Sequence, residues 1–345
     1  MFTRVLTIMK LKEELLIVLL LLCSCTRSVT EREEAKFQTI CRLSENIANI
    51  SLPFSFSVAE DGRFVLCDNE KVFLYSSEGR QIRQIGNKGK SRYEYSHPSA
   101  VRIYKDTIYV WSSFTLRFIS YTIDGEPLEE YPYLSAIGDF IPSDKYIYIY
   151  NKGKSIDNVI DVYDKRSKCI VNNLTESTPE HKTLLHKWAA SPMMLSNSKL
   201  YYTTTDDLTV RTYDVNDGHE SDLARIESET FKVSDLNEYK HDRKKTSEYL
   251  RDNSIVLSLF KGYKDKIYLL TLEGVSRIKD NKADNSERFF SVYDIFARQP
   301  LKHVYSYESI GTEKLFDNTC GNLFVLQHKI ENEEDVYLLN KLILK

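Results

Sequence analysis

The chain has 345 residues, of which 42% are hydrophobic, 12% aromatic and 28% charged, and its formal net charge is -3. This composition is typical of a globular protein with a sizeable core, and it excludes collagen-like, low-complexity and disordered chains. Charges of both signs are mixed along the chain. We therefore predict no nucleic-acid partner, because phosphate binding needs a basic stripe or a high pI.

The N-terminal segment predicts export from the cytoplasm. An uninterrupted apolar run, Leu15–Leu22, follows Lys10 and Lys12. It is too short to span a bilayer as a helix, but it suits the hydrophobic region of a secretory signal. We predict a signal peptide over residues 1–24, a polar tether over 25–36 and one folded domain over 37–345.

The segment Leu22-Cys23-Ser24-Cys25 resembles the bacterial lipobox, in which a small residue precedes the cysteine that becomes lipid-modified. Ser24 precedes Cys25, so the resemblance implies lipidation at Cys25, with a plain secretory signal as the alternative. Several acyl chains would anchor the protein stably to a membrane. No acidic residue follows Cys25 directly, which implies the outer membrane, on either its periplasmic or its surface face.

After the tether, one pattern recurs: a polar turn, a short run of β-branched and aromatic residues, and further runs of strand length. The first runs are spaced about 40 to 65 residues apart, the size of a four-stranded sheet with its loops. They centre on Val65, Tyr109, Tyr148, Tyr201, Tyr268 and Phe324. The run Ile108–Trp111 is apolar at every position, which indicates a sheet covered on both faces. Six such units predict an all-β, six-bladed β-propeller.

The last unit supplies only about three strands before the chain ends. Phe37–Leu43 is a strand-like run that belongs to no unit. We predict that it completes the last blade beside Asp335–Leu344, because this pairing removes an open sheet edge.

Two segments predict short helical insertions. Thr178-Pro179-Glu180 is a strong helix start, with a capping residue followed by proline. Ser234–Arg251 is mostly polar and predicts a solvated surface helix. His181 and His186 lie five residues apart, so we expect solvated or capping histidines rather than metal ligands.

Two motifs resemble known propeller repeats. Ala59–Asp68 resembles the D-G-x-hydrophobic-Val core of NHL-type repeats. Gly86–Pro98 resembles the G-x-G-x-G-P-G-E-Y-x-x-P turn of six-bladed, NHL/TolB-like β-propeller lipoproteins of Gram-negative gut bacteria, although Lys90–Arg92 replaces the Gly-Pro-Gly portion. The matching residues are Gly86, Gly89, Glu94, Tyr95 and Pro98. The resemblance implies the fold and an envelope location, but no particular reaction.

The cysteines of the folded domain lack the spacing of a zinc or redox site. Each lies in or beside a strand-like run, so we expect buried free thiols. A Cys41–Cys320 disulfide is the alternative, because the predicted last blade contains both residues. The four cysteines are Cys41, Cys67, Cys169 and Cys320.

No hydrolase, zinc-protease or phosphate-loop motif occurs in the sequence, and we assign no catalytic residue, metal ligand or cofactor. Asp206-Asp207 and Glu331–Asp335 are interpreted as polar turns, with calcium binding as the alternative. The candidate ligand-binding cluster is polar and aromatic and lies on a loop that enters a blade. It consists of Arg92, Tyr93, Glu94 and Tyr95. In the alternative interpretation, Tyr95 and Pro98 pack this loop against the next blade.

These features favour a membrane-anchored envelope lipoprotein whose propeller is a non-catalytic binding or scaffold module for a peptide, glycan or protein partner. Two alternatives remain open. One is a hydrolase or lyase with a metal held by inner-strand carboxylates at the central channel. The other is a structural subunit of an outer-membrane assembly.

Overall fold

The computed structural model describes residues 35–43, 53–68, 70–153, 157–187, 190–239, 243–262, 265–275, 277–279, 282–284, 287–297, 299–300, 305–306, 313–318, 322–331 and 334–344. The predicted signal peptide, Cys25 and Cys320 lie outside these residues. Ala35, within the predicted tether, already begins the first strand. No helix among the described residues has the length and apolar character needed to cross a membrane.

Six antiparallel sheets form the ring, which confirms the predicted six-bladed propeller. The innermost strands of neighbouring blades pack against one another around a central channel. The strands are given from the innermost to the outermost. Blades 1 and 2 consist of Ser55–Val58, Phe64–Cys67, Val72–Tyr75 and Gln81–Gln84, and of Pro98–Tyr104, Thr107–Ser112, Arg117–Thr122 and Pro127–Pro132. Blades 3 and 4 consist of Ile137–Pro142, Tyr146–Asn151, Asn158–Asp164 and Cys169–Glu176, and of Met193–Ser196, Lys199–Tyr202, Thr209–Asp214 and Glu220–Arg225. Blade 5 consists of Ile255–Lys261, Ile267–Glu273 and Phe289–Asp294, with two short outer segments, Gln299–Pro300 and Tyr305–Ser306.

Blade 6 closes the ring by joining the two ends of the described chain. Its strands are Glu313–Asp317, Phe324–Glu331 and Glu334–Leu344, followed on the outside by Ala35–Leu43. The outer pairing is antiparallel and runs from Ala35 opposite Leu344 to Leu43 opposite Tyr337. The predicted pairing of the N-terminal strand is confirmed. It covers the backbone groups of the last C-terminal strand, which would otherwise form an open edge.

The core lies between the blades, and the second and third strands of blades 1 to 3 are buried at nearly every position. All residues of Ile108–Trp111 are at most 5% exposed, as their apolar run predicts. Between blades 2 and 3, the Phe118 ring contacts Trp111 and Phe140 with ring centroids 4.7 and 4.9 Å apart. Such offset or edge-on contacts stabilise beyond the apolar area that they bury.

The two ends of the ring differ in their connections. One end carries the loops between second and third strands and the links between blades, and we call it the upper face. The other end carries the turns between first and second strands and between third and fourth strands, and we call it the lower face. Helix α1, Pro179–Lys187, and helix α2, Arg243–Asp252, lie in links on the upper face, together with a 3-10 turn, Leu236–Tyr239. A small hairpin of Arg277–Lys279 and Lys282–Asp284 lies on the same face.

The helical insertions begin where the sequence predicts but are less solvated than expected. The Thr178 hydroxyl accepts a hydrogen bond from the backbone amide of His181 at 3.0 Å, which caps α1. The segment predicted as one solvated helix is divided into the 3-10 turn and α2. Leu236 and Tyr249 of this segment are buried in the core, which corrects the expectation of a wholly solvated face.

The described cysteines are free thiols. Cys41 and Cys67 are buried, as predicted, and burial raises the pKa of the Cys41 thiol to about 11. Cys169 is exposed, so the expectation of burial is wrong at this position. It begins the outer strand of blade 3, where no further blade covers the sheet edge. The suggested partner of Cys41, Cys320, lies outside the described residues.

Candidate functional site

The loop that carries the predicted ligand-binding cluster links blades 1 and 2 on the upper face. Within it, Asn87–Lys88 pairs in parallel with Glu94–Tyr95, so the loop folds back on itself. Gly86 enters the loop at φ +62°, and a Cβ at this position would lie 2.6 Å from the Tyr121 hydroxyl. Only glycine fits this position without displacing its neighbours.

The structure separates the four predicted residues: Glu94 and Tyr95 fasten the loop, Tyr93 packs partly buried against the core, and Arg92 is exposed. Tyr95 is fully buried, and its hydroxyl accepts a hydrogen bond from the Val72 amide at 3.3 Å. The Glu94 carboxylate accepts a hydrogen bond from the Ser91 amide at 2.9 Å. Tyr95 therefore packs the loop between blades 1 and 2, as the alternative interpretation predicts.

Arg92 is the exposed member of the cluster, and Tyr93 beside it is partly buried. Arg92 is exposed, with its guanidinium carbon 4.6 Å from the centroid of the Tyr93 ring. The Tyr93 backbone is held in the left-handed region, at φ 62°. Its amide donates to Glu130 Oε1 at 2.6 Å, and its carbonyl accepts from the Tyr121 hydroxyl at 2.7 Å. The Tyr93 backbone is thus fixed by hydrogen bonds on both sides, and ligand contact by these residues stays a prediction.

Backbone hydrogen bonds join this loop to two others on the upper face. The amides of Ser113 and Phe114 donate to the carbonyls of His97 and Ser96 at 3.1 and 3.2 Å. The Tyr133 amide donates to the Leu116 carbonyl at 2.9 Å. We call the resulting surface, residues 86–97, 113–117 and 133–136, the loop platform.

The Arg117 side chain holds the loop of the platform in place through hydrogen bonds to its backbone. Its Nη2 atom donates to the carbonyls of Ser91 and Glu94 at 2.6 and 2.9 Å, and its Nη1 atom lies 3.3 Å from Glu130 Oε1. One guanidinium therefore satisfies backbone acceptors of one loop while it pairs with a carboxylate of blade 2. Three platform residues other than glycine have positive φ angles: Tyr93, His97 and Leu116. Backbone held in this region often marks functional surfaces.

Apolar side chains project from the platform into solvent. Phe114 is 73% exposed and Leu134 is 87% exposed. The Phe114 ring stacks on His97 with centroids 4.7 Å apart, and His97 contacts the partly exposed Phe54 at 5.7 Å. Sequence reasoning missed these residues, and the only available signal was an aromatic residue within a short polar loop.

The platform also carries cations without partners. Among the described residues, Lys90 and Arg92 are exposed and form no ion pair. The nearby acids are already engaged: Glu70 pairs with Lys88 at 2.5 Å, and Glu130 pairs with Arg117. The platform therefore presents positive charge beside apolar rings.

A buried ionic network joins four blades at the centre of the ring. Arg102, 4% exposed, pairs with Asp139 of blade 3 and lies 4.0 Å from Asp317 of blade 6. Asp317 also accepts a hydrogen bond from the Val58 amide of blade 1 at 2.9 Å.

A cavity of about 650 Å³ lies at the lower end of the central channel. It is lined by the turns Ala59–Arg63 and Tyr104–Asp106.

The ionic network involves the inner-strand carboxylates that the metal-dependent alternative would use as ligands. The inner-strand carboxylates Asp139 and Asp317 both face the Arg102 guanidinium, which neutralises part of their charge. In the described part of the chain, no three histidine, cysteine or acidic side chains are grouped as metal ligands. Oxygen-rich cation sites require several converging carboxylates or carbonyls. Among the described residues, Asp139 and Asp317 are therefore engaged with a guanidinium rather than with each other.

The histidine expectation is wrong for His181. This residue is 1% exposed, and its Nδ1 atom accepts a hydrogen bond from the Thr205 amide at 3.0 Å. Burial lowers the pKa of His181 to about 4. It is not solvated, because its ring lies against Tyr150 with centroids 5.6 Å apart, and the cap of α1 is Thr178.

The two acidic segments show mostly turn chemistry. Asp207 accepts the amide and hydroxyl of Thr209 at 3.1 and 3.0 Å, as the polar-turn interpretation predicts. Asp206 accepts the Thr178 hydroxyl at 2.5 Å. In the other segment, Glu331 pairs with Arg42 at 2.8 Å.

Comparison with known proteins places this architecture in a family. A family profile described as DUF5128, 6-bladed beta-propeller, matches residues 58–294. Two solved structures are similar in fold. One is from Bacteroides fragilis and is provisionally described as an exported protein; the identity is 15%, the match covers 91% of this chain and 95% of that one, and the TM-score is 0.62.

The second is a member of the DUF4221 family from Bacteroides vulgatus, with 11% identity, coverage of 91% of this chain and 99% of that one, and a TM-score of 0.65. At these identities, both likenesses show the fold alone. No curated protein matches the chain in sequence. The profile match spans more than half of the sequence, and the chain belongs to the DUF5128 family of six-bladed β-propellers.

Proposed function

We propose that this protein is an exported, lipid-anchored propeller that binds a polypeptide partner on its loop platform, without catalysis. The observation that carries the proposal is the exposure of Phe114 and Leu134 on loops whose backbones are held by hydrogen bonds. Apolar side chains grouped on a rigid surface are typical of protein interaction sites.

The chemistry of the platform supports an acidic, apolar segment as the partner. Phe114, Leu116 and Leu134 offer apolar area, which a polypeptide can cover with its own side chains. Lys90 and Arg92 have no ion pair among the described residues, so a carboxylate could approach either without displacing an existing partner. Charge complementarity of this kind accelerates and orients association.

Export and anchoring rest on two supports of different kinds. The apolar run Leu15–Leu22 and the lipobox-like Ser24-Cys25 are features of this sequence. The similar B. fragilis structure is provisionally described as an exported protein. Replacing Cys25 with alanine should release the protein from the membrane fraction without changing its unfolding. Membrane retention of the Cys25→Ala variant would exclude this cysteine as the anchor.

Display of a random peptide library against the purified protein tests the platform. We expect bound peptides to be enriched in acidic and apolar residues, and we expect the double variant Phe114→Ser/Leu134→Ser to lose them. Arg92→Glu should deplete the acidic residues selectively. The matched control is Phe296→Ser, because Phe296 is 58% exposed but lies in a hairpin turn on the lower face.

Two results would refute the proposal. The first is that the library yields no enriched peptide, or that the protein binds to an array of glycans but to no peptide. The second is peptide binding that survives the platform substitutions and is lost in Phe296→Ser, since this would place the binding surface on the lower face.

A further inference from the structure

The cavity at the lower end of the central channel is large enough for a small molecule. Its volume of about 650 Å³ lies within the range of roughly 300–1,000 Å³ that is typical of ligand sites. Its lining residues come from blades 1, 2 and 4. In a ring of six, blade 4 lies opposite blade 1, so the cavity crosses the channel axis. None of the described lining residues belongs to the loop platform, which lies on the upper face.

The wall that the inner strands contribute to this cavity is apolar. It includes Val58 of blade 1, Ile103 of blade 2 and the partly buried Leu195 of blade 4. These side chains carry no hydrogen-bonding group. This part of the cavity therefore favours a ligand with a hydrocarbon portion, which loses contact with water when it binds.

The rim of the cavity is charged, and both of its cations already have carboxylate partners. Arg63 Nε lies 2.6 Å from Asp61 Oδ2, and Arg63 Nη2 lies 3.7 Å from Asp106 Oδ1. Lys105 Nζ lies 2.6 Å from Oδ1 of Asp144, a residue of the neighbouring turn in blade 3. An anionic ligand would have to compete with these carboxylates for each cation and would be repelled by them.

Glu60 is the rim residue whose charge is not compensated. It is exposed, and its carboxylate forms no ion pair or hydrogen bond with any residue that the structure describes. The lining contains three acidic residues and two basic ones, and one of the basic residues, Lys105, is paired with an acid outside the lining. The rim therefore has an excess of negative charge, which favours a cationic ligand.

The combination of walls decides which kind of cation fits. A hard metal ion requires several converging oxygen ligands, whereas the carboxylates of Asp61 and Asp106 are directed to Arg63. A metal ion would also leave the apolar wall without a partner. An organic cation can place a charged nitrogen at the rim and a hydrocarbon stem against the inner strands, so it complements both parts of the cavity.

We propose that this cavity binds a small organic cation of the alkylamine class, with its ammonium group at Glu60 and its hydrocarbon stem against Val58, Ile103 and Leu195. The site goes beyond the proposed polypeptide binding and lies on the opposite face of the ring. The two can therefore fail separately.

The test is an NMR titration of the purified protein with n-hexylammonium, methylammonium and hexanoate. We expect n-hexylammonium to bind at millimolar concentrations and at least about tenfold more tightly than methylammonium, because several methylene groups leave water. Hexanoate has a hydrocarbon stem of similar length but the opposite charge, and it should bind at least about fivefold more weakly than n-hexylammonium. Glu60→Gln should weaken n-hexylammonium binding about 2- to 5-fold without changing the melting temperature, because the replaced carboxylate is exposed and unpaired.

Glu126→Gln is the matched control, because Glu126 is also exposed in a turn of the lower face but does not line the cavity. This variant should bind n-hexylammonium like the parent protein. Leu195→Ala should reduce the preference for n-hexylammonium over methylammonium, because it removes part of the apolar wall. The proposal is overturned if n-hexylammonium does not bind, if hexanoate binds as tightly, or if Glu60→Gln and Glu126→Gln have equal affinities.

Discussion

The upper face of this propeller is bare over blades 1 and 2 and covered by insertions over blades 3 to 5. On the bare side, short hydrogen-bonded loops hold Phe114 and Leu134 in solvent. On the covered side, α1 and α2 bury their own residues His181 and Tyr249, whose Nε2 atom and hydroxyl lack hydrogen-bond partners among the described residues.

The contrast shows how one architecture produces two kinds of surface. Each side retains an unfavourable feature that a bound molecule would relieve: apolar groups in water on the bare side, and unpaired polar groups out of water on the covered side. The first feature suits a large partner that covers area.

The largest expected loss of stability concerns the ion pairs of Arg102 at the centre of the ring, which both sides share. Arg102→Leu removes the only cation that Asp139 is shown to pair with in the described chain, and with it the guanidinium 4.0 Å from the buried Asp317. Breaking such a pair from one side should lower the free energy of unfolding by about 3–5 kcal/mol. Urea denaturation measures the change.

The control for Arg102 is Arg63→Leu, because Arg63 forms a partly exposed pair with Asp61 at 2.6 Å. Its loss should cost less than about 1 kcal/mol. If the two variants lost equal stability, the buried ion pairs of Arg102 would not stabilise the ring more than a surface ion pair does.

A pair of leucines sharpens the comparison directly. Leu184 of α1 is fully buried, whereas Leu134 on the platform is 87% exposed. Leu184→Ala should lower the free energy of unfolding by about 2–5 kcal/mol, and Leu134→Ala should change it by no more than about 0.5 kcal/mol. Thermal and urea unfolding of both variants measure the difference, and similar losses would show that Leu134 is packed rather than free for a partner.

The covered side should also respond to pH. The pKa of His181 is lowered from 6.5 to about 4, so the unfolded chain binds a proton that the folded chain does not. The contribution is fully present above about pH 6.5 and is lost as the pH falls toward 4, a change of about 3 kcal/mol in the free energy of unfolding.

Urea denaturation between pH 7 and pH 4 measures this loss, with His181→Gln as the comparison. The variant should lack that part of the pH dependence, whereas replacing the exposed His219 with glutamine should leave it intact. Equal pH profiles for His181→Gln and the parent protein would mean that His181 is solvated after all.

The smallest effect concerns the bare side. Gly86 and Gly125 both have positive φ angles, but a Cβ would lie 2.6 Å from the Tyr121 hydroxyl at Gly86 and no closer than 3.7 Å to any atom at Gly125. Both alanine variants carry backbone strain, so Gly86→Ala should cost about 1–2 kcal/mol more, which is the cost of the clash.

Unfolding in urea compares the two glycine variants. Peptide binding should also weaken in Gly86→Ala, because a displaced loop no longer holds Tyr93 in place. Equal stability of the two variants would show that the platform loop adapts easily and is not the rigid surface described above.

The fold could be predicted because its strands are buried on both faces. A strand enclosed by neighbouring blades must be apolar at every position, as at Ile108–Trp111, so each blade leaves a visible run in the sequence. The closing strand could be found because Phe37–Leu43 belonged to no unit while the last unit lacked a strand. Both inferences use local pattern and chain length alone.

The candidate site could be predicted only in part. The loop of Arg92, Tyr93, Glu94 and Tyr95 was found from its composition, but Tyr95 is buried and Glu94 serves its own loop. Leu134 gave no signal and Phe114 only a weak one, because an apolar loop residue can be buried by distant segments or left in solvent. His181 was misplaced for the same reason, since its own helix packs it against Tyr150 and Thr205, which are distant in the chain.

By itself, the sequence determined the six-bladed ring and the strand that closes it, because burial between sheets constrains every residue of a strand. Only the tertiary structure decided which loop residues face solvent and which polar atoms are enclosed without partners. Those outcomes depend on groups far apart in the chain, such as Tyr93 with Tyr121 and His181 with Thr205. No local pattern records such contacts, because the chain positions that meet are chosen by the packing of whole blades and their insertions.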